Sequence, residues 1–140
     1  ILESEKIGDI RKIVVRDGHR GPKKIGVGPE FLEWLTDPEL NGAGALMDFG
    51  CYGANLSTWL MDGQRPISVT AVVQQLNIAD NPKVEDEATI ILTYPSSQTI
   101  IEASWNWPIG RKDMEIYGLT GAILVDNGKQ LRLRMAEGYD

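Results

Sequence analysis

The spacing of hydrophobic positions divides the chain into a helical part and a strand-rich part. Residues 46–61 (LMDFGCYGANLSTWLM) repeat apolar or small residues at intervals of four, three and four, at Phe49, Gly53, Leu56 and Leu60. These positions share one face of an α-helix, so the pattern predicts a helix over 46–61. A shorter helix is predicted over 30–35 (EFLEWL), since proline at position 29 suits a first helical turn.

Beyond residue 66 the period of the pattern becomes two, which is typical of β-strands with one buried face. An earlier strand is predicted at 10–16 (IRKIVVR), where β-branched residues are concentrated. The later strands are predicted within 68–76, 87–94, 99–107, 113–117, 121–125 and 130–135. Short turns join most of them, and Asn127-Gly128 is a strong hairpin signal. Short connections imply antiparallel pairing.

The order of these elements is strand, helix, helix and then a run of strands, which predicts an α+β fold. We expect a predominantly antiparallel open sheet with the helices packed on one face. The other face would need cover, and the strand at 99–107 brings Trp105 and Trp107 to one side. The pattern leaves open whether these tryptophans lie under the helices or on a partner surface.

The start of the chain suggests a larger protein. It opens ILESEKIGDI, without Met or a signal-like segment, and Ile1–Ser4 resemble the end of a helix that stops near Gly8. A natural domain rarely begins in the last turn of a helix. We therefore expect a piece of a longer protein, with trimming by a protease as the alternative.

Composition excludes several classes of partner. The formal net charge is −6 and the sequence pI about 4.8, with no basic stripe, which argues against nucleic acid. No apolar run reaches the roughly 18–20 residues that span a bilayer. Cys51 is the single cysteine, so no disulfide can form within the chain. A reducing, cytoplasmic location is the expectation from that cysteine usage.

The candidate chemistry lies on the predicted helix over 46–61. Asp48 and Tyr52 are four residues apart, and Asn55 and Trp59 continue the same stripe. In one interpretation Asp48 is a first-turn acid stabilised by the helix dipole, and the aromatic residues belong to the core. In the other the stripe is a polar site. Glycines inside the helix indicate a close neighbour, either a strand or a ligand.

Other polar residues give weaker signals. His19 is the only histidine and lies in a glycine-rich loop, and no second ligand supports a metal site. Arg111 and Lys112 are expected in a solvated turn, and the acidic run 85–87 at a solvated strand end. The sequence contains no P-loop, nucleophile elbow or dinucleotide-binding GxGxxG.

The run GALMDFGCYGANLSTWLM, followed by Pro66-Ile67-Ser68-Val69, resembles the C-terminal domain of the glucose-fructose oxidoreductase/inositol dehydrogenase/MocA-like family. In that family a run of small residues leads into D-x-G-x-[HY] at the start of a long helix. Here the motif runs from Asp48 to Tyr52. The opening ILESEKIGDIRKIVV is similar to the family's domain junction, and Gly118-Leu119-Thr120-Gly121 is similar to its GTxG segment.

The resemblance implies that residues 1–140 are the substrate-binding and oligomerisation domain of a two-domain oxidoreductase. The N-terminal Rossmann domain, which would bind NAD or NADP and carry the lysine of an E-K-P motif, is absent from this chain. The implied reaction is hydride transfer at a sugar or polyol hydroxyl, and the isolated domain should be inactive. The implied assembly is a homodimer or homotetramer through the sheet.

Carried over by position, the resemblance makes Asp48 and Tyr52 the catalytic candidates, with Tyr52 as the acid/base. A tyrosine has a reference pKa near 10, so such a role requires a nearby cation. Asn55, His19 and Arg20 are the substrate-binding candidates. No cofactor-binding or metal-binding residue is assigned. The alternative function is a non-catalytic sheet module for oligomerisation or scaffolding.

Overall fold

Within residues 6–137, which the computed structural model describes, seven strands form one open sheet. The strands are β1 (Ile10–Gly18), β2 (Ser68–Gln74), β3 (Glu87–Thr93), β4 (Gln98–Ser104), β5 (Arg111–Gly118), β6 (Gly121–Asp126) and β7 (Gln130–Met135). The helices are α1 (Pro22–Ile25), α2 (Pro29–Leu35), α3 (Pro38–Asn41), α4 (Ala45–Asp48) and α5 (Gly50–Leu60). The helix end predicted at residues 1–4 lies outside the described residues.

The strand order is β2-β3-β4-β1-β5-β6-β7, and every neighbouring pair is antiparallel except β1 with β4. The parallel pair arises because the helical segment, β2 and β3 separate these two strands in the chain, so the return strand enters from the same end. The predicted α+β class, the predominantly antiparallel open sheet and the helices on one face are confirmed.

Helix α5 packs across β1 and β4 on the covered face of the sheet. Leu56 and Leu60 join a cluster built on Ile13 and Val15, as the helical period predicts. Phe49 belongs to a second cluster that also contains Leu35, Val84, Ala103 and Trp105. Trp105 is 1% exposed, so of the two interpretations of that residue the structure selects the covered one.

The predicted helix over 46–61 is two helices. It breaks at Phe49, which ends α4 and precedes α5 with φ −111°. The break lets the buried Phe49 ring enter the core between the two axes, while Tyr52 and Trp59 on α5 stay exposed at 47% and 69%. No helix within residues 6–137 is long and apolar enough to cross a bilayer.

Gly53 sets how closely α5 approaches the sheet. A Cβ atom added there would lie 2.5 Å from Cγ2 and 2.8 Å from Cγ1 of Ile101 on β4. Real carbon atoms do not approach that closely, so any larger residue would push the helix away. Of the two neighbours that the sequence allowed for this glycine, a strand or a ligand, the structure selects the strand.

We predict that Gly53→Ala destabilises the fold by up to about 2 kcal/mol. Overpacking costs about 1–3 kcal/mol, and the better helix propensity of alanine offsets roughly 1 kcal/mol of it. Urea unfolding measures the change. In an Ile101→Ala background, where the clashing atoms are gone, the same substitution should become neutral or stabilising. Equal destabilisation in both backgrounds would contradict the packing explanation.

Candidate functional site

The candidate residues meet where β1 and β4 end and β5 begins. Because β1 and β4 are parallel, their carboxyl ends lie side by side, followed by His19 and Trp105. Antiparallel β5 starts at this same edge, with Lys112 paired to Asp17. The junction of α4 and α5 lies over this edge, since Phe49 contacts the His19 ring at a centroid distance of 4.8 Å.

Glu85 holds α4 in place. Its Oε1 accepts hydrogen bonds from the backbone N–H groups of Gly44 and Leu46 at 2.8 and 2.9 Å, in place of a local N-cap side chain. Gly44 must be glycine, because an added Cβ would lie 1.9 Å from the backbone oxygen of Glu85. The small residues before Asp48 therefore make room for the chain itself.

Asp86 organises the segment after β4. Its carboxylate is fully buried and accepts from the backbone N–H groups of Leu76 and Asn77 and from the side-chain amides of Asn81 and Asn106. Burial alone raises the pKa of Asp86, but these hydrogen bonds outweigh it and the pKa lies below its ordinary value. The solvated strand end predicted for the acidic run 85–87 is wrong, because Glu85 and Asp86 bind buried backbone.

Trp105 connects Asp86 to Asp48 through two hydrogen bonds. Its backbone N–H donates to the backbone oxygen of Asp86 at 2.8 Å, and its Nε1–H donates to Oδ2 of Asp48 at 2.9 Å. Burial raises the pKa of the Asp48 carboxyl, while the Trp105 hydrogen bond and the charges of His19 and Lys112 oppose that rise. Asp48 is thus a fixed hydrogen-bond acceptor at the edge of the site.

His19 lies beside this carboxylate with one nitrogen already occupied. Its Nδ1 accepts from the backbone N–H of Gly21 at 2.9 Å, so the neutral imidazole carries its hydrogen on Nε2. Burial lowers the pKa of His19, and the charge of Asp48 opposes that change. At neutral pH the ring therefore offers one donor from Nε2.

The ring of Tyr52 lies beneath the ammonium group of Lys112, a residue that we expected in a turn. Lys112 belongs to β5, with Nζ 4.8 Å from the centroid of the Tyr52 ring and 3.5 Å from Oδ2 of Asp17. The solvated turn predicted for Lys112 and its neighbour Arg111 is therefore wrong. Asn55, one turn beyond Tyr52, lines a cleft together with Tyr52 and Lys112. Lys112 therefore contacts the face of the Tyr52 ring and not its hydroxyl.

Arg20 is set apart from this group. It lines another pocket, of about 210 Å³, together with Lys24, Asn106, Trp107 and Pro108. The structure thus brings Asp48, Tyr52, His19 and Asn55 together and leaves Arg20 outside. Lys112 links the two parts of this group, because its charge interacts with Asp48 beside His19 and its ammonium lies over Tyr52, which lines a cleft with Asn55. Within residues 6–137 no three His, Cys, Asp or Glu side chains converge as metal ligands.

The match to a family model covers most of the chain. Residues 1–124 match the model described as the GFO/IDH/MocA C-terminal domain. The chain belongs to this family. The motif from Asp48 to Tyr52 and the edge of the sheet over which it lies fall within the matched residues.

Individual relatives agree with that assignment. The chain is 29% identical over 104 residues to a trans-1,2-dihydrobenzene-1,2-diol dehydrogenase of Xenopus tropicalis, a match that spans 74% of this chain and 28% of the relative. Among solved structures, an inositol dehydrogenase homolog of Azotobacter vinelandii complexed with NAD⁺ aligns over 99% of this chain and 37% of its own, with TM-score 0.81 and 18% identity. An aldose-aldose oxidoreductase of Caulobacter crescentus complexed with glycerol aligns over 96% and 39%, with TM-score 0.77 and 21% identity.

We predict that Trp105→Phe raises the pKa of Asp48 further, because the Nε1–H bond favours the charged carboxylate. An NMR titration of side-chain carboxyl carbons measures that pKa directly. Trp107→Phe is the matched control, since the Nε1–H bond to Asp48 belongs to Trp105, and should leave the titration unchanged. An Asp48 titration that is the same in Trp105→Phe and the parent would show that the bond carries no weight.

Proposed function

We propose that this domain binds the substrate of an NAD(P)-dependent oxidoreductase that acts on a sugar or polyol hydroxyl. The observation that carries the proposal is the group of hydrogen-bonding side chains at the carboxyl ends of β1 and β4. Asp48, held by Trp105, faces the imidazole of His19, and Tyr52 lies beside them under Lys112. The names of the relatives, a diol dehydrogenase and an inositol dehydrogenase homolog, support the same substrate class.

Tyr52, Asp48 and His19 have separate roles in the proposed reaction. Tyr52 is the acid/base, and its hydroxyl exchanges the proton of the reacting hydroxyl. Asp48 accepts a hydrogen bond from a substrate hydroxyl and fixes its orientation, and the Nε2–H of His19 donates to a second oxygen. A bound nicotinamide cofactor supplies the hydride acceptor or donor for the carbinol carbon. Asn55 and Arg20 are further substrate-binding candidates.

The dinucleotide belongs to a part of the protein outside this chain. The matched relatives are between two and four times as long, since the chain spans 28% of the diol dehydrogenase and 37% of the inositol dehydrogenase homolog. Gly44, one of the small residues before Asp48, packs against the backbone of Glu85. We assign NAD or NADP to an N-terminal Rossmann domain, so that the isolated domain is inactive.

The uncovered face of the sheet supports assembly into a homodimer or homotetramer. No described helix packs there. Val14, which is only 8% exposed within the chain, and the half-buried Ile100 are paired on this face, next to the Arg16–Glu102 pair. The guanidinium of Arg16 binds Glu102 at 2.9 Å and Glu115 at 2.7 Å, so its charge is already paired. Because the charge of Arg16 is paired, a second copy can cover this face of the sheet without burying an unpaired charge.

In the full-length protein, Tyr52→Phe should lower kcat by about 10²–10⁴ with NAD⁺ or NADP⁺ as cofactor, the usual range for loss of an acid/base group. Steady-state kinetics over a panel of sugars and polyols measures the change. Tyr117→Phe is the matched control, because it removes a hydroxyl that donates to Glu115 on the opposite face of the sheet.

Unchanged turnover in Tyr52→Phe would remove that residue from the mechanism. If the unmodified full-length protein turned over no member of the panel, the alternative of a non-catalytic sheet module for oligomerisation or scaffolding would be favoured. The reading frame ahead of Ile1 separates the two functions independently. A preceding segment with a dinucleotide-binding GxGxxG supports the enzyme.

A further inference from the structure

A cleft of about 260 Å³ opens beside Tyr52, between α5 and the strands β1, β5 and β6. Its floor includes the apolar side chains of Leu56 and Met114. Its polar lining residues are Arg16, Asp17, Tyr52, Asn55, Lys112 and Asp113. Pockets for drug-sized ligands span about 300–1,000 Å³, so this volume suits a single small ring. An apolar floor below polar groups matches a ring that has one C–H face and several hydroxyls.

Asp17 is a buried carboxylate that is only loosely paired with Lys112. The residue is 5% exposed, yet its ion-pair partner among the described residues is Lys112, at 3.5 Å. That separation exceeds the usual N–H···O range of about 2.7–3.2 Å. Burial raises the pKa of Asp17, and the charge of Lys112 opposes the rise. A ligand hydroxyl in the cleft can therefore donate to this carboxylate as a second, closer partner.

Lys112 complements that carboxylate. Its ammonium group has three N–H donors and is held between Asp17 and the face of the Tyr52 ring. The Lys112 side chain is 61% exposed, so these donors can reach a ligand in the cleft. The loose pair thus presents an acceptor and a donor next to each other, beside the proposed acid/base.

We propose that Asp17 and Lys112 bind two adjacent hydroxyls of the substrate ring, so that the pair selects a cyclic vicinal diol. One hydroxyl donates to the Asp17 carboxylate, and the neighbouring oxygen accepts from the Lys112 ammonium. The C–H face of the ring packs on Leu56 and Met114 while Tyr52 faces the reacting hydroxyl. This assignment rests on the proposed oxidoreductase function.

The charges of the site also decide against an anionic substrate. Asp17 and Asp48 both lie close enough to Lys112 for their charges to interact. Arg16 and Asp113 also line the cleft, but each is paired elsewhere, Arg16 with Glu102 and Glu115 and Asp113 with Arg111. Asp17 and Asp48 therefore stand against the single ammonium group of Lys112, which leaves an excess of negative charge near the cleft. A sugar acid or sugar phosphate would meet repulsion there, so the pair selects neutral rings.

Lys112→Met in the full-length protein tests the pair, because methionine keeps most of the apolar stem and removes the ammonium group. The substrates are D-glucose, D-xylose and myo-inositol, followed by monodeoxy analogues of whichever is turned over fastest. We expect KM for the parent ring to rise about 10- to 100-fold, the effect of losing a hydrogen bond from a charged group, with kcat changed much less.

For the analogue that lacks the hydroxyl bound by Lys112, KM should be the same in the parent protein and in Lys112→Met. Lys83→Met is the matched control, since Lys83 is 63% exposed and paired with Asp37, away from the cleft. It should change neither constant. Equal losses for parent ring and analogues in Lys112→Met, or no loss at all, would overturn the proposal while leaving the oxidoreductase function intact.

If no ring is turned over, the oxidoreductase function fails and a direct binding measurement decides the subsite separately. Saturation-transfer NMR with the same three rings compares the parent full-length protein, Lys112→Met and Lys83→Met. Signal that disappears in Lys112→Met alone supports the subsite. Equal signals from all three proteins, or no signal from any ring, overturn it.

Discussion

The distance between helix α5 and the sheet is fixed by Gly53, and the arrangement of the site depends on that distance. With Ile101 directly against the helix backbone, Phe49 reaches the core and Tyr52 reaches the edge where β1, β4 and β5 meet. A larger residue at position 53 would lift the helix and separate Tyr52 from Lys112. Helix propensity is therefore sacrificed at one position for a close contact that places a side chain at the site.

A second constraint on the position of Asp48 comes from hydrogen bonds to the carboxylates of Asp86 and Glu85. Asp86 binds the backbone after β2 and the residues after β4, and Trp105 among the latter donates to Asp48. Glu85 fixes the start of α4 from the adjacent position. The candidate catalytic carboxylate is thus held from both sides by neighbours in one acidic run. Such supporting contacts keep a site in its productive geometry before substrate arrives.

The fold was largely predictable from the sequence, because period-two and helical patterns report which face of each element is buried. The break at Phe49 was not predictable. A short-range hydrophobic pattern does not show that packing of the Phe49 ring in the core interrupts the helix. The contacts of Asp48 with Trp105 and of Lys112 with Tyr52 join residues nearly sixty positions apart. They come together through the parallel pairing of β1 with β4, the antiparallel pairing of β1 with β5 and the packing of α5 on these strands.

The central claim is that this edge of the sheet is the substrate side of an oxidoreductase site. A crystal structure of the full-length protein with a nicotinamide cofactor and a polyol tests it most directly. We expect the polyol between the nicotinamide ring and Tyr52, with the Tyr52 hydroxyl within hydrogen-bonding distance of the reacting oxygen. A polyol bound elsewhere, or a second copy of the chain covering Asp48 and Tyr52, would contradict it.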